Sequence, residues 1–447
     1  MQRLESAGAR AVMERLAAAG YEAYLIGGCV RDSLMGRAPH DWDVATDAEP
    51  EAVLSVFGGQ RVIETGLKHG TVTVLCGDEP VEVTTYRVDG EYSDGRRPDG
   101  VRFTRSLRED VSRRDFTINA LAWNPSEGVL DLVGGEKDLE DGIIRCIGDA
   151  DQRFSEDGLR ILRALRFASE LGFSIESGTK AAIFRQLPLL GRVSEERKTS
   201  ELLRLLCGKN VLSVLEEYAE VVFALIPELR PTLGCLQNNP YHCYDVWNHI
   251  IHTVENIEPD PLLRLTMLLH DIGKPAANEA SGIFFGHPEE GAKIAAGILE
   301  RMRLDRKTQK TVLTLITVHD VKIPPDSRAE VRRWLGRLGE ENLRRLVKIK
   351  FADNRAKRPE VWQARRPGFE ALSALAEEVI ASGCCCRLDQ LAVDGKDLLS
   401  IGIPAGEALG QMLESLLGRV ISEELPNERE ALLCAAREAL PQIAKPF

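Results

Sequence analysis

The chain has 447 residues, 44% of them hydrophobic and 28% charged, with a formal net charge of −12. That length is roughly three domains' worth, the composition is that of a soluble globular protein, and no apolar run approaches the ~20 residues of a membrane span. Net negative charge counts against a nucleic-acid partner only globally, because binding follows local patches.

Two stretches are locally basic. Seven arginines stand against three acids from Arg96 to Arg114, and ten Lys or Arg against three acids from Arg332 to Arg358. Solvated arginines scattered over helix faces are the plainer reading of the second stretch. Met1 to Ala19 reads as a charged amphipathic helix rather than a secretion signal. Ten cysteines in such a chain argue for reduced thiols and a cytoplasmic protein. The adjacent Cys384, Cys385 and Cys386 diverge in direction and make a poor single metal site.

In chain order, a helix from Leu4 to Ala18 leads into a strand, Ala23 to Ile26, and a glycine turn. A second strand, Trp42 to Ala45, follows, and a helix begins near Pro50, since proline suits the first helical turn. Thr71 to Leu75 and Val81 to Tyr86 carry the β-branched alternation of strands, with a turn at Gly77 to Pro80. Gly90 to Gly100, rich in Gly, Asp, Arg and Pro, reads as a mobile loop. From about Asp138 strand signals fade. Residues 155–440 read as successive helices, broken at Gly191, Pro227, Asn238 to Pro240, Pro259 to Pro261, Pro324-Pro325 and Gly383. The fold class is α+β: a small head with a mixed, palm-like sheet over residues 1–140, then helices throughout.

Gly27-Gly28-Cys29-Val30-Arg31-Asp32 is followed nine residues on by Asp41-Trp42-Asp43. Side chains two apart on a strand share a face, so Asp41 and Asp43 converge. Paired carboxylates suit two Mg²⁺ ions about 3.5–4 Å apart, which activate a hydroxyl and stabilise a leaving pyrophosphate. Gly27 and Gly28 let backbone N–H groups approach phosphate oxygens, and Arg31 can fork onto them. Further on, Asp157, Arg160, Arg163 and Arg166 lie three apart, a spacing at which neighbours meet on a helix. Asp157 offers acceptors and Arg160 donors. Cytosine and adenine both present an amino donor beside a ring-nitrogen acceptor, so this couple complements C and A; uracil and guanine present the reverse. A buried mismatch costs roughly 1–3 kcal/mol per group. The pattern points to a protein template for CTP and ATP. A plain intrahelical ion pair, worth ~0.2–0.5 kcal/mol, is the alternative.

These residues resemble the class II tRNA nucleotidyltransferases (CCA-adding enzymes), which share a superfamily with bacterial poly(A) polymerases. The likeness rests on the two stretches above, on Arg113-Arg114-Asp115-Phe116-Thr117-Ile118-Asn119-Ala120, on Glu156-Asp157-Gly158-Leu159-Arg160 and on Glu196-Arg197-Lys198-Thr199-Ser200-Glu201-Leu202, and extends more loosely to Gly395-Lys396-Asp397-Leu398. It implies that CCA is added to the 3′ end of tRNA from CTP and ATP, without a nucleic-acid template, by two Mg²⁺ ions held by Asp41 and Asp43. It implies that Gly28, Arg31 and Arg114 contact the nucleotide, Asp115 the ribose, Asp157 and Arg160 the base, and Arg163 and Arg166 the nucleotide again. Glu82 is a candidate third carboxylate, or a strand residue facing solvent. The arginine-rich Gly90 to Asp110 segment resembles the flexible element of enzymes that add all three nucleotides. CC-only or A-only addition and poly(A) polymerisation are the alternatives within the superfamily. The division implied is a head (1–140), a helical neck with the base-reading residues (141–210), a helical body (211–365) and a tail contacting tRNA (366–447).

His249, the pair His270-Asp271, His287, His319 and Asp353 form a second constellation. Imidazole with carboxylate suits divalent transition metals and also tolerates Mg²⁺. The set resembles the HD-domain phosphohydrolases, which implies His249, His270, Asp271 and Asp353 as ligands, with His287 and His319 where a second ion would draw them. Asp271 could instead cap the next helix. A metal-dependent HD phosphohydrolase whose head only binds nucleotide is the alternative from a different class.

Overall fold

The computed structural model describes residues 6–67, 70–90, 100–281 and 284–443. The chain divides into two compact units, Met1–Pro227 and Glu228–Phe447.

In the first unit, Ala9, Val12, Met13 and Leu16 recur at helical spacing and are buried on one face of the helix Ala7–Ala18. Ser6 caps it, its side chain accepting from the Ala9 N–H. Eleven strands follow among the described residues: β1 Ala23–Ile26, β2 Trp42–Thr46, β3 Val62–Gly66, β4 Thr71–Cys76, β5 Glu79–Thr85, β6 Arg87–Asp89, β7 Val101–Phe103, β8 Ala122–Asn124 and β9 Gly128–Leu130, and, past the point where strand signals were expected to fade, the two-residue strands β10 Ile143–Ile144 and β11 Ser174–Ile175, which pair in parallel. Seven form one mixed sheet in the order β3-β4-β5-β2-β1-β8-β9; β2 pairs with β5 in parallel and the other neighbours are antiparallel. The turn expected over Gly77 to Pro80 is tighter, because Glu79 and Pro80 already pair with Cys76 and Leu75.

Strands β1, β2, β4 and β5 match the sequence expectation closely. Strands β3 and β6 to β9 were not foreseen. Most are three residues long, too short to show alternation. The segment 91–99, inside the expected mobile loop, lies outside the described residues. Beyond the sheet come the helices Ala150–Glu156, Leu159–Leu171, Ser177–Arg185 and Glu195–Leu206.

The second unit is helical. Val246–Asn256, Pro261–Leu269, Lys274–Ser281, His287–Arg301, Arg306–Val318, Arg328–Arg355 and Pro359–Ala381 succeed one another. Asp260 caps the helix that Pro261 opens, as the expected break there implies. The long helix Arg328–Arg355 breaks at Gly339, where φ is +75°, a conformation that favours glycine. Val393, Leu398, Met412, Leu416, Leu432 and Ala436 form a separate apolar core toward the C-terminus. Among the described residues no helix is long and apolar enough to cross a membrane, and all ten cysteines are free.

Candidate active site and metal centre

Gly27 closes β1 with φ of +83° and precedes the short helix Gly28–Leu34. A Cβ placed there would lie 3.4 Å from Nη1 of Arg114 and 3.9 Å from Oδ2 of Asp43. The glycine turn, the arginine and the acid therefore share one small space. Arg31 is held on that helix by Asn119 Oδ1 at 2.5 Å and Asp32 Oδ1 at 2.9 Å.

Asp41 stands one residue before β2 and Asp43 within it, opposite Glu82 of β5 in the parallel register. Burial first, then Asp41 and Glu82, push the Asp43 carboxyl up to about 6 against the opposing pull of Arg114. Mutually repelling carboxylates are an oxygen donor set that a hard cation relieves. The head residues fit Mg²⁺ in that sense. They are more widely spread than the second cluster: among the described residues, the only groups of three or more His, Cys, Asp or Glu ligand atoms within 4.8 Å of one another lie in the helical unit.

Arg113 and Arg114 are clamped by one buried acid, Asp110, at 2.7 and 3.2 Å. Burial would raise the Asp110 carboxyl, but the two guanidiniums hold it below its usual value. Asp115 is also buried. Its Oδ1 accepts from Phe116 N and Asn119 Nδ2, at 2.8 and 3.3 Å, and its Oδ2 lies 2.8 Å from Arg163 Nε and 2.6 Å from Nη2. Burial alone would push its carboxyl up; Arg163 and Arg160 hold it down at about 2. With about four acceptor positions on a carboxylate, contact with a ribose hydroxyl requires one of these partners to yield.

The base-reading residues do not form a single helical row. The helix ends at Glu156, Asp157 is extended (φ −145°, ψ 105°), and a new helix starts at Leu159. Gly158 permits the break: a Cβ there would meet the Leu189 carbonyl oxygen at 2.9 Å. Asp157 pairs with Arg197 at 2.7 Å and accepts from Leu159 N. Arg160 donates to Glu156 Oε2 and to the carbonyls of Arg153 and Arg113. Arg163 is a third exposed, whereas Arg166 is 3% exposed and paired with Glu201 at 2.7 Å. All three of Arg31, Arg163 and Arg166 lie against the Phe167 ring.

In the helical unit the structure brings all six predicted ligands together. His249 Nε2 lies 2.9 Å from Asp353 Oδ1 and 3.5 Å from Asp271 Oδ2. His270, His287 and His319 place Nε2 at 3.2, 3.3 and 3.5 Å from Asp271 oxygens. The Asp271 carboxylate thus faces the histidines and does not cap the next helix. Each Nδ1 has a backbone carbonyl: Ala356 for His249, Met267 for His270, Phe284 for His287 and Ile316 for His319. The bonds of His270, His287 and His319, at 2.7, 2.8 and 2.6 Å, fix the tautomer and leave Nε2 lone pairs free to ligate, whereas the His249 contact is 3.4 Å and its Nε2 donates to Asp353 Oδ1 at 2.9 Å. His287 and His319 then set their Nε2 atoms 3.2 Å apart, and His270 Nε2 is buried with no hydrogen-bond partner, while Asp271 Oδ2 pairs with Lys274 Nζ at 2.6 Å. Two overlapping ligand groups result, His249-His270-Asp353 and His270-Asp271-His319. Acceptors converging in this way fit divalent cations of the imidazole-loving kind.

Asp110, Asn119, Arg197 and Glu201 brace the head site without having been assigned roles from the sequence. Asp110 could have been found there, since it precedes Arg113 and Arg114 by three and four residues. Arg197 stands in the Glu196 to Leu202 stretch that carries the resemblance, but its pairing with Asp157, forty residues away, could not be read there. The basic stretch Arg332 to Arg358 proves largely neutralised. Arg332 pairs with Glu423, Arg344 with Glu377, Arg345 with Glu341, Lys348 with Glu258 and Lys357 with Asp353.

Family models agree with this layout. A poly A polymerase head domain matches residues 23–145, a probable RNA and SrmB-binding site of polymerase A matches 172–231, and a tRNA nucleotidyltransferase domain 2 matches 292–436. A CCA-adding enzyme of Lactiplantibacillus plantarum is 35% identical over 96% of this chain and 95% of its own. The crystal structure of the Bacillus stearothermophilus CCA-adding enzyme in complex with CTP covers 98% of both chains at 30% identity, with a TM-score of 0.75. The Thermotoga maritima CCA-adding enzyme complexed with tRNA shares the fold at 20% identity and a TM-score of 0.57. With a mixed-sheet head and such identity sustained along nearly its whole length, the chain belongs to the CCA-adding enzymes, the tRNA nucleotidyltransferases related to poly(A) polymerases.

Proposed function

We propose that the head adds C, C and A in turn to the 3′ end of a tRNA in the cytoplasm, taking CTP and ATP and releasing pyrophosphate. The observation that carries the site assignment is the crowding of Asp43 by Asp41 and Glu82 beside the Gly27 turn and Arg114. Asp41 and Asp43 would hold Mg²⁺, with Glu82 in support. Mg²⁺ bound there supplies positive charge that favours both an activated hydroxyl and a departing pyrophosphate. Arg31 and Arg114 orient the triphosphate through charge-assisted bonds. Asp157 and Arg160 present acceptor and donor to the base edge, with Arg197 fixing the acid. The tRNA 3′ oxygen forms a bond to the α-phosphorus as the bond to pyrophosphate breaks, a step that depends mainly on positioning. The relative solved with CTP and the one solved with tRNA support these partners. Incubating the enzyme with tRNA lacking its end, CTP and ATP, and sequencing the products, tests the reading. Three added nucleotides, CCA, are expected; a halt after CC, addition of A alone, or a long A tail would each reject full CCA addition.

The four-part division assigns 1–140 to the head, 141–210 to the neck, 211–365 to an HD-type body and 366–447 to the tail. In the body, His249, His270, Asp271, His287, His319 and Asp353 would hold one or two divalent metals. The second activity supported by that cluster is hydrolysis of phosphate esters. A His270→Ala, Asp271→Ala variant is expected to lose metal and phosphoesterase activity while nucleotide addition persists. Absence of any metal-dependent phosphoesterase activity in the wild type would remove the hydrolase reading.

A further inference from the structure

Of the three consecutive cysteines that follow the helix Pro359–Ala381, only the middle one turns away. Cys385 Sγ donates to the Arg387 carbonyl at 3.7 Å, whereas Cys384 and Cys386 set their sulfurs 3.2 Å apart. The Cys384 S–H is directed at the Val379 carbonyl, at 3.7 Å. A thiol has a single proton, so the Cys386 S–H is the donor between the two sulfurs and points at a Cys384 lone pair. Reacting atoms about 3–3.5 Å apart are in near-attack geometry. Cys384 is partly exposed and Cys386 is buried.

The turn that carries the pair is held from three sides. Gln390 Oε1 accepts from the backbone N–H groups of Cys386 and Arg387, at 2.8 and 3.0 Å. The Cys386 carbonyl packs against Gly336 of the helix Arg328–Arg355 so closely that a Cβ there has no room. Cys385 packs on the C-terminal apolar core. Arg332, which acts on Cys385 and Cys386, also donates to the Ile421 carbonyl at 3.3 Å and pairs with Glu423 at 2.8 Å. Burial, then the bond to Cys384, pushes the Cys386 thiol up to about 12. The more accessible Cys384 is therefore the attacking sulfur and Cys386 the resolving one.

We propose that Cys384 and Cys386 form a thiol–disulfide exchange site whose co-reactant is a low-molecular-weight disulfide. The Cys384 sulfur, as thiolate, bonds to one sulfur of the disulfide, and the other sulfur leaves as a thiolate. Cys386 gives its proton to solvent and bonds to the Cys384 sulfur; the mixed disulfide breaks, and the second small thiolate leaves. The two departing thiolates take up two protons. Two protein thiols and one small disulfide thus become one protein disulfide and two small thiols, the protein losing two electrons and the co-reactant gaining them. The new bond closes the turn between the helix Pro359–Ala381 and the C-terminal core, and in a reducing compartment it is transient.

The test uses the reduced full-length enzyme and oxidised glutathione, followed by alkylation of the remaining thiols and mass spectrometry of the peptide that spans the three cysteines. Before its alkyl group is counted, the wild-type peptide is expected to be lighter by roughly 2 Da, one hydrogen from each bonded thiol, with alkylation on Cys385 alone. Dithiothreitol should restore alkylation of all three. Cys385→Ser should form the same bond, Cys384→Ser should form none, and Cys386→Ser should stop at the glutathione adduct on Cys384. Circular dichroism checks that the variants are folded, and the wild-type pairing is decisive without them. A wild-type peptide that stays fully alkylated, that bonds through Cys385, or that accumulates the glutathione adduct without the internal bond overturns the assignment. Protection from alkylation with no loss of mass, removed by a chelator, overturns it in favour of a soft metal ion.

Discussion

Replacing Asp43 by Asn is expected to abolish nucleotide addition and yet stabilise the metal-free protein. Burial, Asp41 and Glu82 move the Asp43 carboxyl from its usual 3.8 to about 6. At 1.36 kcal/mol per pH unit that displacement corresponds to roughly 3 kcal/mol. Asp43 is only partly buried, and screening by solvent reduces the figure to about 1–3 kcal/mol. The sign follows from linkage. An acid whose folded-state value is raised binds its proton more tightly when folded. The penalty is therefore absent below about pH 4 and complete above about pH 7. In EDTA at pH 7.5 the melting transition of the first unit should rise by roughly 2–12 °C in Asp43→Asn. The difference should shrink with added Mg²⁺, which offsets the same repulsion in the wild type, and vanish near pH 4. Calorimetry at the two pH values, with and without Mg²⁺, checks all three statements. An Asp43→Asn protein no more stable than wild type in EDTA at pH 7.5 would refute the crowded-carboxylate account.

Asp157→Ala and Arg160→Ala should each weaken discrimination against UTP and GTP by roughly 5–150-fold, the equivalent of ~1–3 kcal/mol per unpaired group, as read from misincorporation on truncated tRNA. Arg197→Ala should blur the same choice less severely, because it frees the Asp157 carboxylate without removing it. Asp110→Ala leaves Arg113 and Arg114 without their buried acid and should cost about 3–5 kcal/mol by urea unfolding. The Asp110 contribution is present above about pH 4 and lost as pH falls through its lowered folded-state value. Dialysis of the full-length protein against a chelator should release metal bound by the His270-Asp271 cluster and lower the stability of the second unit, as seen by metal analysis and calorimetry; His270→Ala with Asp271→Ala should retain none.

Local chemistry was legible in the chain. Gly27-Gly28 with Arg31, the Asp41–Asp43 spacing and the adjacent His270-Asp271 pair depend on neighbours in sequence, so backbone geometry alone puts them to use. Strands β1, β2, β4 and β5 were readable because apolar and β-branched runs mark them. The three-residue strands β8 and β9 were not, since they are too short to show a period and exist only because β1 offers β8 a partner. The long helix Arg328–Arg355 hid its break at Gly339, as one glycine in a helical run is ordinarily tolerated.

The sequence by itself determined which residues carry charge, lone pairs and turns, because those are properties of side chains and of short backbone segments. Tertiary structure alone decided their protonation and their company. It set Asp43 against Glu82 across two strands, Asp157 against Arg197, and four imidazoles around Asp271, each with Nδ1 tied to a carbonyl. It also matched the basic stretch after Arg332 with glutamates from elsewhere in the chain. Electrostatic energy falls with distance through space, and contour length along the chain does not enter it; residues forty or a hundred positions apart become partners only once the core is packed.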